Sequence, residues 1–176
     1  MCDDQDQSEQ VSRNELVRQI FNKECFATIQ VIDDQNEICD GLVVLPAILS
    51  WLANESRYSY LPVAAFCSGK SAAGSLRASV NAPKRLSAIA IRSGVLDLTP
   101  AELALVDVPV LFITADRDTE ITDEINKMTG SLNAAYCVKV ISNATRYFTE
   151  LGKLGHVVFL AVEWFRKNMF AKAKSA

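Results

Sequence analysis

One stretch limits what this chain can become more than any other: Leu61 to Leu76, LPVAAFCSGKSAAGSL. The apolar residues from Val63 to Cys67, with Leu61 ahead of the proline, suit a strand buried on both faces, and the Ala- and Ser-rich run that follows suits a helix. Between them Gly69 supplies the permissive backbone that an abrupt strand-to-helix reversal demands. In an open α/β sheet, functional groups gather at such carboxyl ends of strands, so this turn is where a site is expected.

The turn supports more than one chemical reading. Gly69, Lys70 and Ser71 reproduce the last three residues of the phosphate-binding pattern G-x-x-x-x-G-K-[ST] between a strand and a helix. The first glycine of that pattern is missing: its position is Ala64, inside the strand, and the remaining loop is too short to wrap a phosphate with successive N–H groups. A smaller anion site stays open, because Gly69, Lys70 and Ser71 begin a helix whose N–H groups and dipole attract small anions or phosphometabolites. The plainer alternative is that Lys70 is solvated and Ser71 only caps the helix.

Around this turn the chain alternates strands and helices. Ser12 and Glu15 form a capping box at the start of a helix with Leu16, Val17 and Ile20 on one face. Residues 1–11, acidic and glutamine-rich, are expected to be a disordered tail ahead of a single domain spanning 12–172. Phe26–Ile32 is the first expected strand and Leu42–Leu52, with Pro46 inside it, a helix. The strand through Cys67 and the Ser71–Val80 helix follow, then a strand at Leu86–Ile91 and a short helix capped by Thr99, Pro100 and Glu102. A strand at Val108–Ala115, a helix at Glu120–Met128, a strand at Tyr136–Ile141 and a helix at Gly155–Phe170 complete the series. This spacing predicts an α/β fold, a doubly wound parallel sheet of about five strands with right-handed crossovers.

Composition narrows the function classes. At 176 residues and 49% hydrophobic the chain has one core, and a net charge of −3 without a basic run argues against nucleic-acid binding. No apolar run approaches the ~20 residues of a membrane span, and the polar start is not a signal peptide. Cys2, Cys25, Cys39, Cys67 and Cys137 are odd in number and lack C-x-x-C spacing, which suits reduced thiols in a cytoplasmic protein. With His156 as the lone histidine, neither a metal site nor a cofactor is expected.

The segment FCSGKSAAGSLRAS resembles the nucleophile elbow of dienelactone-hydrolase-like members of the α/β-hydrolase superfamily, which typically reads F-G-x-S-T-G-A-A-A-A-L. On that resemblance Cys67 stands at the first glycine of G-x-S-x-G, Ser68 at the variable position, Gly69 at the nucleophile and Ser71 at the second glycine. The run SRNELVRQIFNKECFATIQVID is similar to the family's S-P-R-N helix leading to a G-F-A-T-L-L-L-D strand. VPVLFITADRDTEI resembles the strand ending G-x-x-D, which implies Asp118 as the acid position, with Ala115 replacing the glycine. VKVISNATRYF resembles the loop P-G-A-T-H-x-F, which implies Arg146 at the base position. The similarity runs from about Ser12 to Phe170.

What this implies is a shortened α/β-hydrolase-like fold with a degenerate triad. Glycine carries no nucleophile, and arginine stays protonated near neutral pH, so it cannot serve as a general base. Asp118 and Arg146 are expected to form a salt bridge instead; the alternative is a solvated Asp118 in a loop with Asp116 and Arg117. Nothing before Ser12 resembles the superfamily's strand and loop that contribute an oxyanion-hole N–H. His156 lies on the flank of a final helix whose apolar stripe is Val157, Val158, Ala161, Trp164 and Phe165, a poor place for a triad partner.

The leading expectation is therefore a pseudoenzyme acting as a binding or assembly subunit. Its rivals are an esterase or dienelactone-hydrolase-like activity using Ser68 or Ser71 with Asp118, and the anion binder at Gly69, Lys70 and Ser71. In the parent fold another strand separates those matching Phe26–Ile32 and Leu61–Cys67. Closure of that gap would put Phe26–Ile32 at one edge of the sheet and Tyr136–Ile141 at the other. FATIQVI has no proline and no charge, so this edge is expected to take a second protein chain or a copy of itself.

Overall fold

A computed structural model describes residues 3–31, 41–81 and 86–169. Its centre is a parallel sheet in which spatial order equals chain order: β1 (Val63–Gly69), β2 (Leu86–Gly94), β3 (Val110–Ala115) and β4 (Tyr136–Ile141). Helices cover both faces. On one side α1 (Asp3–Lys23) and α6 (Lys153–Met169) pack on Ala88, Ala90, Leu111 and Ile113. The opposite face carries α2 (Gly41–Asn54), α3 (Ser71–Asn81), α4 (Pro100–Ala104) and α5 (Thr119–Met128) over Ile89, Ile91, Val110 and Phe112. Even and odd strand positions thus fill two separate cores, as the alternation of side chains along a buried strand requires.

Local signals place several boundaries. Thr99 caps α4, its side chain accepting from the Glu102 N–H while the Glu102 carboxylate accepts from the Thr99 N–H, with Pro100 opening the helix. Helix α6 buries Val157, Val158, Ala161 and Phe165 along one stripe. Pro46 is accommodated within α2.

Three expectations need correction. The sheet has four strands among the described residues, not about five, because Phe26–Ile32 does not pair. A turn at Cys25, φ +66°, ends α1. Phe26 is then held by the rings of Phe21 and Phe165, 5.9 and 6.2 Å away, while residues 27–31 are exposed and pair with no strand among the described residues. Apolar, β-branched residues make a strand only where a partner lies within hydrogen-bonding distance, and here none does; Ile32 and the loop to Asp40 lie outside the described residues. Strand β1 is consequently the sheet edge and is half-buried along its whole length, rather than buried on both faces. The first helix begins at Asp3, not at a Ser12 cap, so residues 3–11 continue it.

Candidate functional site

At the carboxyl end of β1 the chain turns through Gly69 at φ +57° and enters α3 two residues later. Ser71 Oγ donates to the Ser68 carbonyl at 2.8 Å and accepts from the Ser68 N–H at 3.3 Å, closing the turn on itself. Lys70 is exposed. Both bonds tie the Ser71 side chain to the backbone of the loop residue Ser68. The Cys67 thiol faces the Ala90 carbonyl at 3.7 Å, and burial pushes its pKa up to about 12.

The other two positions lie beyond β3 and β4, which are neighbours in the sheet. Their loops are braced by Asp116. Its carboxylate accepts from the N–H groups of Asn143 and Ala144 at 2.7 and 3.1 Å, and its own N–H donates to Ile141 O. These backbone donors hold the Asp116 pKa below the ordinary carboxylate value. Asn143, at φ +54°, bends the second loop toward the first. Arg146 then meets Asp118 in a two-pronged pair, Nε to Oδ2 at 2.8 Å and Nη2 to Oδ1 at 3.0 Å. Asp118 is 9% exposed whereas the Arg146 side chain is 41% exposed, so the carboxylate sits inside and the guanidinium covers it. The hydrogen bond to Asp118 raises the Arg146 pKa further, away from any role in proton transfer.

The structure thus joins Asp118 to Arg146, as expected, and sets the glycine turn at the end of a strand two places away in the sheet. His156 is exposed on α6 and its side chain makes no hydrogen bond among the described residues. No group of three or more His, Cys, Asp or Glu side chains among the described residues is arranged to hold a metal ion. No described helix is long and apolar enough to cross a membrane. A surface hollow of about 460 Å³ between α4 and α5, lined by Leu96, Leu98, Pro100, Leu103, Glu124 and Met128 among others, includes none of these site residues.

Sequence reasoning missed the end of β2. It stopped the strand at Ile91, but pairing continues to Gly94 and carries Arg92 and Ser93 into the interior, 8% and 5% exposed. The available signal was a single charge in an otherwise apolar run just before a Ser-Gly pair.

No protein-family model and no curated protein matches the chain. Solved structures do. The chain is similar to a dienelactone hydrolase from Anabaena variabilis, with a TM-score of 0.79 and 24% identity over 89% of this chain and 79% of that one. It also matches an Agrobacterium tumefaciens protein of unknown function, named as a candidate α/β hydrolase, with a TM-score of 0.61 and 13% identity over 84% and 72% of the two chains. A Thermoplasma acidophilum protein described as a predicted CIB-like hydrolase aligns with a TM-score of 0.55 and 8% identity over 76% and 62%. The fold is that of the α/β hydrolases in shortened form.

Proposed function

We propose that this α/β-hydrolase-fold domain has lost hydrolase chemistry and works as a binding or assembly subunit. The observation that carries this reading is the Asp118–Arg146 pair: the positions that resemble acid and base are locked together by a guanidinium that cannot accept a proton. Gly69 at the nucleophile position supports it, since the left-handed turn is kept while the attacking side chain is gone. A fluorophosphonate probe and a p-nitrophenyl ester test the loss of chemistry. No labelling and no turnover above buffer is the expected result. Labelling of Ser68 or Ser71 that disappears on replacement by alanine overturns it in favour of a displaced-serine esterase.

The assembly half of the proposal rests on β1, which pairs on one side only among the described residues. An added strand from another protein chain or a second copy would satisfy the free N–H and C=O groups of that edge. Hydrogen exchange reads this directly. The β1 amides that do not donate to β2 should be protected in the assembled protein and lose protection on dilution; equal exchange at all concentrations removes the assembly role.

A further inference from the structure

Strand β4 ends the sheet on the side away from β1 and, among the described residues, pairs with β3 alone. The carbonyls of Ala135 and Ile141 accept from the N–H groups of Val110 and Asp116 at 3.0 and 3.1 Å, so the backbone groups of these two residues point toward β3. Backbone direction alternates along a strand. Cys137 and Lys139 therefore turn their groups to β3 as well, and Tyr136, Val138 and Val140 turn theirs outward. The side chains of the same three residues share the face of the sheet that carries α5. Val138 packs on the core there, while Tyr136 and Val140 are left 45% and 49% exposed.

An outward row of donors and acceptors flanked by exposed apolar side chains is a template for another strand. Lys139, the one charge in β4, restricts which strand can take it. A two-fold axis normal to the sheet would pair β4 with itself, antiparallel, with both copies keeping the same face up. Centred on Lys139, that pairing sets lysine opposite lysine, and like charges directly opposite are destabilising. Centred on Cys137, it carries Val140 past the end of the other strand. Centred on Val138, it sets Tyr136 opposite Val140 twice, an aromatic and β-branched pair, and Lys139 opposite Cys137. In that register the outward groups of Tyr136, Val138 and Val140 all meet in hydrogen-bonded pairs.

The α6 side of the same edge suits an incoming lysine. Cys137 lines a hollow of about 240 Å³ together with Glu163 and Trp164 of α6. Glu163 makes no ion pair among the described residues, and the buried Trp164 Nε1 has no acceptor there.

We propose that β4 is a self-association edge: a second copy of this chain adds its own β4 antiparallel about a two-fold axis at Val138, joining the two sheets into one. The edge lies opposite β1 in the sheet, and the proposal does not depend on whether hydrolase chemistry is lost.

Sedimentation equilibrium of the full chain, with hydrogen exchange at the same concentrations, tests it. The expected result is a monomer–dimer equilibrium in which the Tyr136, Val138 and Val140 amides are protected in the dimer and lose protection on dilution. A monomer at every concentration overturns the proposal. So does a dimer whose concentration-dependent amides lie elsewhere, in β1 for example. Tyr136→Lys with Val140→Lys puts like charges opposite each other twice and should weaken dimerisation by about tenfold or more. Tyr136→Lys with Val140→Glu puts opposite charges at the same places and should dimerise more tightly than the double-lysine chain. Both side chains are exposed, so the fold should tolerate either change. Unchanged dimerisation in the double-lysine chain overturns the proposal, as does equal weakening in the two variants.

Discussion

Gly69 and Gly94 face each other across the β1–β2 ladder, yet the same substitution should fail at the two positions for different reasons. An alanine Cβ at Gly69 meets no atom within 4 Å, so the whole cost is the backbone at φ +57°. The left-handed region costs an L-residue about 1–2 kcal/mol, partly offset because alanine narrows the unfolded ensemble, which leaves a net loss of about 1 kcal/mol for Gly69→Ala. At Gly94 the Cβ would overlap Ile91 Cγ2 and lie 2.6 Å from Ala72 Cβ, both in the buried layer under α3. Relief there needs movement of a strand against a helix, the kind of overpacking that costs about 1–3 kcal/mol or more. Urea unfolding followed by the fluorescence of Trp51 and Trp164 gives both values as shifts of midpoint at constant slope. Gly94→Ala should be the more destabilised. Should Gly69→Ala prove neutral, or as costly as Gly94→Ala, the assignment of the turn as a strained, sterically open elbow is wrong.

Further outcomes follow from the same geometry. Asp118→Asn breaks the two-pronged pair and should cost about 1 kcal/mol by urea titration, the low end for a charged hydrogen bond because Arg146 is partly solvated; no loss would mean that the pair does not hold the two loops. Glu102, held by Arg77 and the Thr99 cap, has a pKa lowered from 4.5 to about 2. Its contribution is complete above the unfolded value and disappears as pH falls through 2, so the unfolding midpoint should drop between about pH 4.5 and 2 and drop less in Glu102→Gln. At pH 8 iodoacetamide should modify exposed Cys25 in the native protein and Cys67 only after unfolding, read by peptide mass spectrometry, because a thiol near 12 presents almost no thiolate.

What the sequence disclosed depends on how local each cause is. The strand–Gly69–helix turn and the Thr99/Glu102 capping box are set by neighbours a few residues apart, and both stand where they were expected. Asp118 and Arg146 are 28 residues apart, and no spacing rule joins them; the resemblance to the hydrolase loops did. FATIQVI has every local property of a strand, but pairing is a property of two segments, and residues 27–31 pair with no described strand. The end of β2 was missed for the same reason, since a strand continuing past Ile91 to bury Arg92 is fixed by the strands and helices around it and not by its own residues. The bracing role of Asp116 becomes visible only when the loops after β3 and β4 are brought side by side.

The coincidence of spatial and chain order in the sheet has a consequence for synthesis. Each strand from β2 onward docks on the one made immediately before it, so a nascent chain leaving the ribosome never needs a later strand to complete an earlier pair. The exception is the α1 layer. Phe21 meets Phe66 of β1 at 5.5 Å and stacks on Phe165 of α6 at 5.8 Å, so the α1 layer is only part-built until α6 has been made.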